Sequence, residues 1–455
     1  MKLLHIDSSV ISDSDLRIDA AFHLSDGPET LRKFESSPYK ISTLEEETTE
    51  IFSGNIFKRT YVSNDQHGHQ FLTASDMMKT NPRGTKFISK KYTKDVNRLR
   101  ILKGSILVSR SGTLGNTIFT NGIFDDLVGT DDLIRIIPNE ANTLRGYLYA
   151  FLASKYGYAL LTQASYGGVV KHIEPHHLTV LPVPLFPDVL QEQIHNLITE
   201  AAGLREEADR MMREAISIFD QNVGELEGKH VYLSDRSQFE KRRLRFDAHA
   251  NLSAFEEYYQ ELAAKYDLAE VAEKSGDVFT PGIFKRMRVD NPLFGVPFLS
   301  GTNLLEVFPN VNSFLSKKMP NIDNYVLRKG WIAIQDSGSP VTMGNCSIVP
   351  EYFDGFAATN NLVRIIPKKG SDFNYYLFPF LQSKAGQVIL KSFSYGTGQR
   401  HLDTYQIKSL RVPLLSDSYD EIVSKSRLYL ESQERAFSCE KQARNLVEKE
   451  IESWQ

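Results

Sequence analysis

The run His172-Ile173-Glu174-Pro175-His176-His177 places three imidazoles and a carboxylate within six residues, a donor set that could ligate zinc. Asp131-Asp132 offers paired carboxylates of the kind used in general acid/base work. Both sets have counterparts 229 residues further on, where the donors are lost. His401-Leu402-Asp403-Thr404-Tyr405-Gln406 keeps only the first His, and Asn360-Asn361 cannot carry a proton-shuttling charge. The His run therefore reads as structural or DNA-facing, and the acidic pair as capping or pairing with backbone. Other catalytic signatures are missing: there is no GxxxxGK[ST] phosphate cradle, no GxSxG and no HExxH. Asn291-Pro292-Leu293-Phe294 comes nearest to the Pro-Pro-aromatic tetrapeptide of an amine methyltransferase, but lacks the second Pro and reads as a turn.

Two glycine-containing turns remain, Ser109-Arg110-Ser111-Gly112-Thr113-Leu114-Gly115-Asn116 and Ser165-Tyr166-Gly167-Gly168-Val169-Val170-Lys171-His172. Such turns let backbone approach a ligand while basic and aromatic side chains point at phosphates or base edges. The set recurs: Lys58-Arg59 returns as Lys285-Arg286, Tyr166 as Tyr395, and Lys171 has Arg400 near it in register.

These are parts of a whole-chain repeat. Ile56-Phe57-Lys58-Arg59 returns as Ile283-Phe284-Lys285-Arg286, Leu133-Ile134-Arg135-Ile136-Ile137-Pro138 as Leu362-Val363-Arg364-Ile365-Ile366-Pro367, and Leu16-Arg17-Ile18-Asp19-Ala20 as Leu244-Arg245-Phe246-Asp247-Ala248. The offset drifts only from 226 to 229 residues. Each copy runs through short β-rich segments such as Ser105 to Ser109 to a short helix near Leu148 to Leu160, which predicts an α+β globule. After Pro187, Leu190, Ile194, Leu197, Ala201, Leu204, Ala208, Met211, Ala215 and Ile218 step by fours and threes, an unbroken heptad seam. The tail has Val423, Leu430 and Phe437 at sevens, then Val447 and Ile451, with Ser426, Gln433 and Glu440 interrupting the other seam row. The expected domains are a first globule over 1–186, a central helix over 187–230, a second globule over 231–415 and a C-terminal helix over 416–455. At 455 residues, two or more domains are expected in any case.

Charge is regional. The total is -4, yet Arg83 to Arg110 holds nine bases and one acid, whereas Asp188 to Lys229 holds ten acids and four bases. Basic globules suit a polyanion, and acidic amphipathic helices suit each other or a partner protein. Two cysteines without a CxxC, a start too short in apolar residues for a signal peptide, and no run long enough to span a bilayer predict a cytoplasmic protein with no membrane partner.

The Lys103 to Gly115 segment, Tyr166-Gly167-Gly168-Val169-Val170-Lys171-His172-Ile173, and Leu181-Pro182-Val183-Pro184-Leu185 leading into a helix with Gln191 and Gln193 resemble the specificity subunit of a Type I restriction-modification system. That resemblance covers essentially the whole chain. It implies two target-recognition globules separated by two long antiparallel coiled-coil helices, each globule reading half of a split, asymmetric site in double-stranded DNA. It implies no catalysis and no cofactor in this chain, with S-adenosylmethionine held by a partner methyltransferase. The expected partners are two methyltransferase subunits, with restriction or translocase subunits besides.

The expected DNA contacts are Lys58, Arg59, Arg110, Thr113, Tyr166, Lys171 and His172 in the first globule. In the second they are Lys285, Arg286, Gln335, Tyr395, Gln399, Arg400 and His401. Trp331 to Gly338 has no counterpart of Arg110, so Gln335 or Lys329 is expected to stand in for it. The scaffold helices are expected to pack through Leu190, Ile194, Leu197, Leu204, Met211, Val423, Leu430 and Phe437. Pro187 to Asp220, 34 residues, makes a helix of roughly 50 Å, so a gap of unread base pairs is expected between the half-sites. From the residues alone two other readings stay open, a two-globule protein-binding adaptor and a nuclease with a metal at His172.

Overall fold

The computed structural model describes residues 23–84, 86–163, 172–224, 255–339, 342–396 and 399–454, with isolated positions at 5, 6, 8, 11, 18, 236 and 240. The repeat match of 16–20 with 244–248 lies outside them except for Ile18. The chain forms two compact units. One comprises Met1–Glu206 with Arg435–Gln455, the other Glu207–Glu434. Each unit is one globule with half of each long helix, Asp188–Val223 and Tyr419–Glu452.

The repeat seen in sequence is a repeat of topology. In the first unit Ile106–Ser109 is buried throughout, as a continuous Ile-Leu-Val run requires of a central strand. Its sheet runs Thr48–Ser53, Leu133–Pro138, Ile106–Ser109, Thr117–Phe119, all antiparallel. A smaller sheet runs Tyr61–Val62, Phe87–Ser89, Gly68–Leu72, Val128–Gly129, and Ile41–Thr43 pairs with Pro182–Pro184 to bring the ends of the globule together. The second unit has the same orders, Ser275–Phe279, Leu362–Pro367, Ile332–Gln335, Cys346–Ile348 and Arg288–Val289, Phe314–Ser316, Gly295–Leu299, Ala357–Ala358, with Asp267–Glu270 on Arg411–Leu414. The fold is α+β, as expected.

A basic residue sits in the middle of each central strand. Arg135 and Arg364 are fully buried. Arg135 donates to the carbonyls of Leu99, Gly129 and Leu133 at 2.9, 3.1 and 2.9 Å, and Arg364 to those of Asn324, Tyr325 and Ala358 at 2.6, 3.1 and 3.3 Å. Burial lowers both guanidiniums to about 10, so both stay charged at neutral pH. Each fastens the larger sheet to backbone around the smaller one.

The helix expected near Leu148 to Leu160 is two helices, Arg145–Ala153 and Lys155–Gln163, broken at Ser154, whose hydroxyl accepts from the Gly157 amide at 3.2 Å. In the second unit Ser383 breaks Phe373–Gln382 from Lys384–Phe393 in the same way. The long helices dock onto these breaks. Glu448 accepts from the Lys155 amide at 2.9 Å, and Asp220 from the Lys384 amide at 3.0 Å, acids placed at a helix N-terminus.

The heptad seam is buried: Ile194, Ala201, Leu204, Ala208, Met211 and Ala215 are in the core, and Leu190, Leu197 and Ile218 are partly buried against it. A second row, Ile198, Ala202, Arg205, Met212 and Phe219, is buried too, because the helix packs on a globule as well as on its fellow helix. In the C-terminal helix Val423 and Leu430 are buried and Phe437 only partly. Ser426, Gln433 and Glu440, which looked like interruptions, are buried in it.

Glu440 is held by Arg205 at 2.5 Å and by the Tyr149 hydroxyl, which donates at 2.7 Å. The repeat replaces all three: Phe378 stands where Tyr149 is, Gln433 where Arg205 is and Met212 where Glu440 is, each buried. One unit thus has a buried ion pair where the other has an apolar and amide packing. Removing one member of such a pair leaves an uncompensated buried charge, so Glu440→Ala is expected to destabilise by about 3 to 5 kcal/mol. Tyr149→Phe, Arg205→Gln and Glu440→Met combined are expected to leave the melting temperature within a few degrees of the unaltered chain, as read by circular dichroism.

Candidate nucleic-acid interface

The acidic pair organises the first globule's basic face. Asp131 accepts from the Arg59 guanidinium at 2.6 Å, and Thr130 from it at 2.9 Å. Asp132 accepts from the Ser111 hydroxyl at 2.6 Å, and its carbonyl from the Arg110 amide at 3.2 Å. Two neighbouring residues thereby hold the Lys58-Arg59 loop and the Arg110 turn together. Gly112 and Gly115, at φ 72° and 78°, close that turn, and Thr113 lies exposed between them. Ser111 pairs in turn with His172, so the two glycine-containing segments meet. Tyr166 and Lys171, in the second of these segments, lie outside the described residues.

Arg110 is half-buried and ion-paired with Glu174, so its charge is already engaged. Glu174 starts the short helix Pro175–Thr179, where its amide donates to His177 Nδ1 at 3.0 Å in a capping box. Burial lowers the His177 pKa. In the second globule Gln406 takes this place, accepting from the Asp403 amide at 2.9 Å. A glutamine serves equally, which explains His177 as a cap. Among the described residues no group of three or more His, Cys, Asp or Glu is placed to hold a metal.

The second globule repeats the frame with different side chains. Ser337–Gly338 pairs with Arg400–His401, as Ser111 pairs with His172. Tyr395 exchanges backbone bonds with His401 and donates its hydroxyl to Asp403 at 2.9 Å; Arg400 donates to Ser394 at 3.1 Å; Gln399 is exposed. Gln335 is partly buried and its Oε1 has no partner. Lys329 does not join this group. It pairs with Glu434 at 3.1 Å and Glu351 at 3.2 Å, as Lys103 pairs with Glu206 at 2.8 Å, and so faces a long helix.

Asp336 takes the place of Arg110. The two have the same backbone frame: the Arg110 carbonyl accepts from the Ile173 amide and that of Asp336 from the Leu402 amide, and their own amides donate to Asp132 and Asn361. Only the charge is reversed. Burial pushes the Asp336 carboxyl up to about 6, with Asp403 adding to the rise and the Ser337 hydrogen bond and His401 opposing it. The sequence signal for this residue was its repeat position.

Lys58, Arg59, Lys285 and Arg286 are exposed on the loops that precede the smaller sheets. Arg59 also lies over the Phe71 ring at 5.7 Å and Arg286 over Phe298 at 5.2 Å. A cavity of about 330 Å³ lies beside Lys58, lined also by Tyr92, Lys94 and Arg98.

The family model for the Type I restriction modification DNA specificity domain matches this chain twice, over residues 39–200 and 265–422. Among solved structures, the S subunit of a Type-I restriction-modification system from M. genitalium is 12% identical, with a TM-score of 0.33, over 91% of this chain and 95% of that one. The HsdS subunit from Thermoanaerobacter tengcongensis is also 12% identical, with a TM-score of 0.29, over 92% of this chain and 97% of that one. Among curated protein sequences none matches.

The Asp336 shift has a signed consequence. Between pH 3.8, its ordinary value, and about 6 the folded chain holds a proton there that the unfolded chain has released. Ionised Asp336 therefore costs stability above pH 6, and the cost disappears as pH falls below 4. Asp336→Asn is expected to melt at a higher temperature than the unaltered chain at pH 7.5, with the difference vanishing towards pH 4, as measured by scanning fluorimetry.

Proposed function

Because the chain belongs to the Type I restriction modification DNA specificity family, we propose that its two globules each read one half of a split, asymmetric site in double-stranded DNA and bring partner methyltransferase subunits to it. The observation that carries this reading is the contrast between scaffold and surface. Scaffold bonds recur at offsets of 228 and 229, such as those of Arg135 with Arg364 and of Asp220 with Glu448, while the same surface frame presents Arg110 in one globule and Asp336 in the other. A shared scaffold with opposed side chains suits two readers of different sequences.

Exposed Lys58, Arg59, Lys285 and Arg286 suit phosphate contacts, which position the duplex without reading it. Arg110, Thr113, Tyr166, Lys171 and His172 in the first globule, and Gln335, Tyr395, Gln399, Arg400 and His401 in the second, are the proposed base-reading set, with Asp336 added as an acceptor suited to a cytosine amino group. The chain itself is not an enzyme; methyl transfer from S-adenosylmethionine belongs to the partner. Two equivalent globule-and-helix units offer two equivalent docking faces, so two methyltransferase subunits per chain are proposed, with restriction or translocase subunits as optional additions. The proposed division is 1–186 and 231–415 for the reading globules, with 187–230 and 416–455 as the helices that join them and dock the partner. Among the described residues no helix is long and apolar enough to cross a membrane. The proposed place of action is the cytoplasm, where the DNA is.

The long helices are the proposed spacer between half-sites. Four residues, roughly one turn or 6 Å, inserted into both helices are expected to lengthen the unread gap by one or two base pairs and leave both half-sites unchanged. Genome-wide mapping of methylated positions, in cells carrying the original and the lengthened chain with the partner, reads the gap directly. A continuous motif, or altered half-sites with a constant gap, would overturn the proposal.

A further inference from the structure

Among the described residues the two most exposed large apolar side chains occupy one position of the repeat: Ile56, 84% exposed, and Ile283, 94% exposed. A lone exposed isoleucine is ordinary on a protein surface. Two at equivalent positions of the repeat call for a shared cause.

The loops that carry them are pinned. Phe57 turns onto Phe71, edge to face with ring centroids 6.4 Å apart, and Arg59 covers the same ring. Phe284 packs on Tyr325 with centroids 3.8 Å apart, and Arg286 covers Phe298. Phe57 and Phe284 are thus held against the globule, and Arg59 and Arg286, though exposed, lie over its rings, leaving Ile56 with Lys58, and Ile283 with Lys285, facing solvent. Desolvating either isoleucine therefore needs no rearrangement of the loop.

The tetrapeptide is identical in both globules, whereas the base-reading turns differ at Arg110 and Asp336. Identity points to a contact made alike on both half-sites, one that selects no base. A lysine and an isoleucine side by side match the two surfaces every duplex offers, phosphate at the rim of a groove and stacked bases within it. Apolar side chains that enter a groove wedge against base steps with little regard for sequence.

We infer that Ile56 and Ile283 are a pair of apolar wedges that enter a groove of the duplex at each half-site while Lys58 and Lys285 hold the flanking phosphates. The inference rests on the DNA-recognition reading above. It assigns these loops to grip and leaves base choice to the turns.

The test uses the full chain in complex with its methyltransferase subunits. Binding is measured to duplexes carrying the mapped site and to duplexes of scrambled sequence, from about 50 to about 200 mM salt. Ile56→Ala with Ile283→Ala is expected to weaken both by about a hundredfold, tenfold for each lost isoleucine contact, without changing the salt slope or the ratio between duplexes. 2-Aminopurine placed at the wedged step should brighten with the unaltered complex and not with this variant. Lys58→Ala with Lys285→Ala is expected to reduce the slope by about two. Unchanged affinity of the isoleucine variant for both duplexes, a loss confined to the mapped site, or a changed slope would each overturn the wedge. If the unaltered complex shows no salt-dependent binding to DNA, the DNA-recognition reading itself fails.

Discussion

The architecture depends on carboxylates of the long helices finding donors on the globules they pack against. Glu206 takes the Gly122 amide at 2.6 Å together with Lys103, and Glu434 takes the Glu351 amide at 2.6 Å together with Lys329. Glu448 and Asp220 cap the Lys155 and Lys384 amides. Each globule is therefore fastened at two points, once by the helix that follows it and once by the other helix. These bonds join backbone amides to charged acceptors, so they fix position more tightly than an apolar seam that could slide by a turn. The acidity of the helices has its cause here as much as in any partner.

A globule fastened in this way can vary its exposed face without losing its place. Arg135 and Arg364 close the two sheets onto each other from inside, and nothing on the surface is needed for that. The reading turns are set on this frame by backbone bonds, the pairing of Ser111 with His172 and of Ser337 with His401. Side chains there can change from Arg110 to Asp336 while the backbone remains in register. The first globule adds a local device, Asp131-Asp132, which ties the basic loop to the turn. In the second, Asn360 bonds to its neighbour Asn361 at 2.8 Å instead.

The repeat, the α+β class and the long helices were legible because each depends on a pattern printed in the chain itself. Offsets of 226 to 229 hold through buried strands and exposed loops alike, and a heptad seam reports the fellow helix. What was not legible depends on partners distant in sequence. The second buried row of the first long helix, Ile198, Ala202, Arg205, Met212 and Phe219, also steps by fours, threes and sevens, but Arg205 within it is charged and its partner Glu440 is 235 residues away. Ser426, Gln433 and Glu440 looked like interruptions because Arg205 and Tyr149, which satisfy Glu440, are more than 200 residues away. The His run suggested a ligand set, and only the geometry shows His177 closing a capping box.

The asymmetry of the buried positions has a consequence for how a chain with two similar units assembles. If the two long helices slid past each other by a turn, Arg205 and Glu440 would each lose its partner. Each would be a buried charge without its counter-charge, at a cost of several kcal/mol apiece. The native arrangement avoids both, since Arg205, Tyr149 and Glu440 satisfy one another and Met212, Phe378 and Gln433 need no charge. A buried ion pair adds little net stability over an apolar packing of the same volume, and the second unit has Met212, Phe378 and Gln433 in its place. The pair's effect lies in the difference between right and wrong registers: a slip in the first unit would strand two buried charges, whereas Met212, Phe378 and Gln433 of the second carry none to strand.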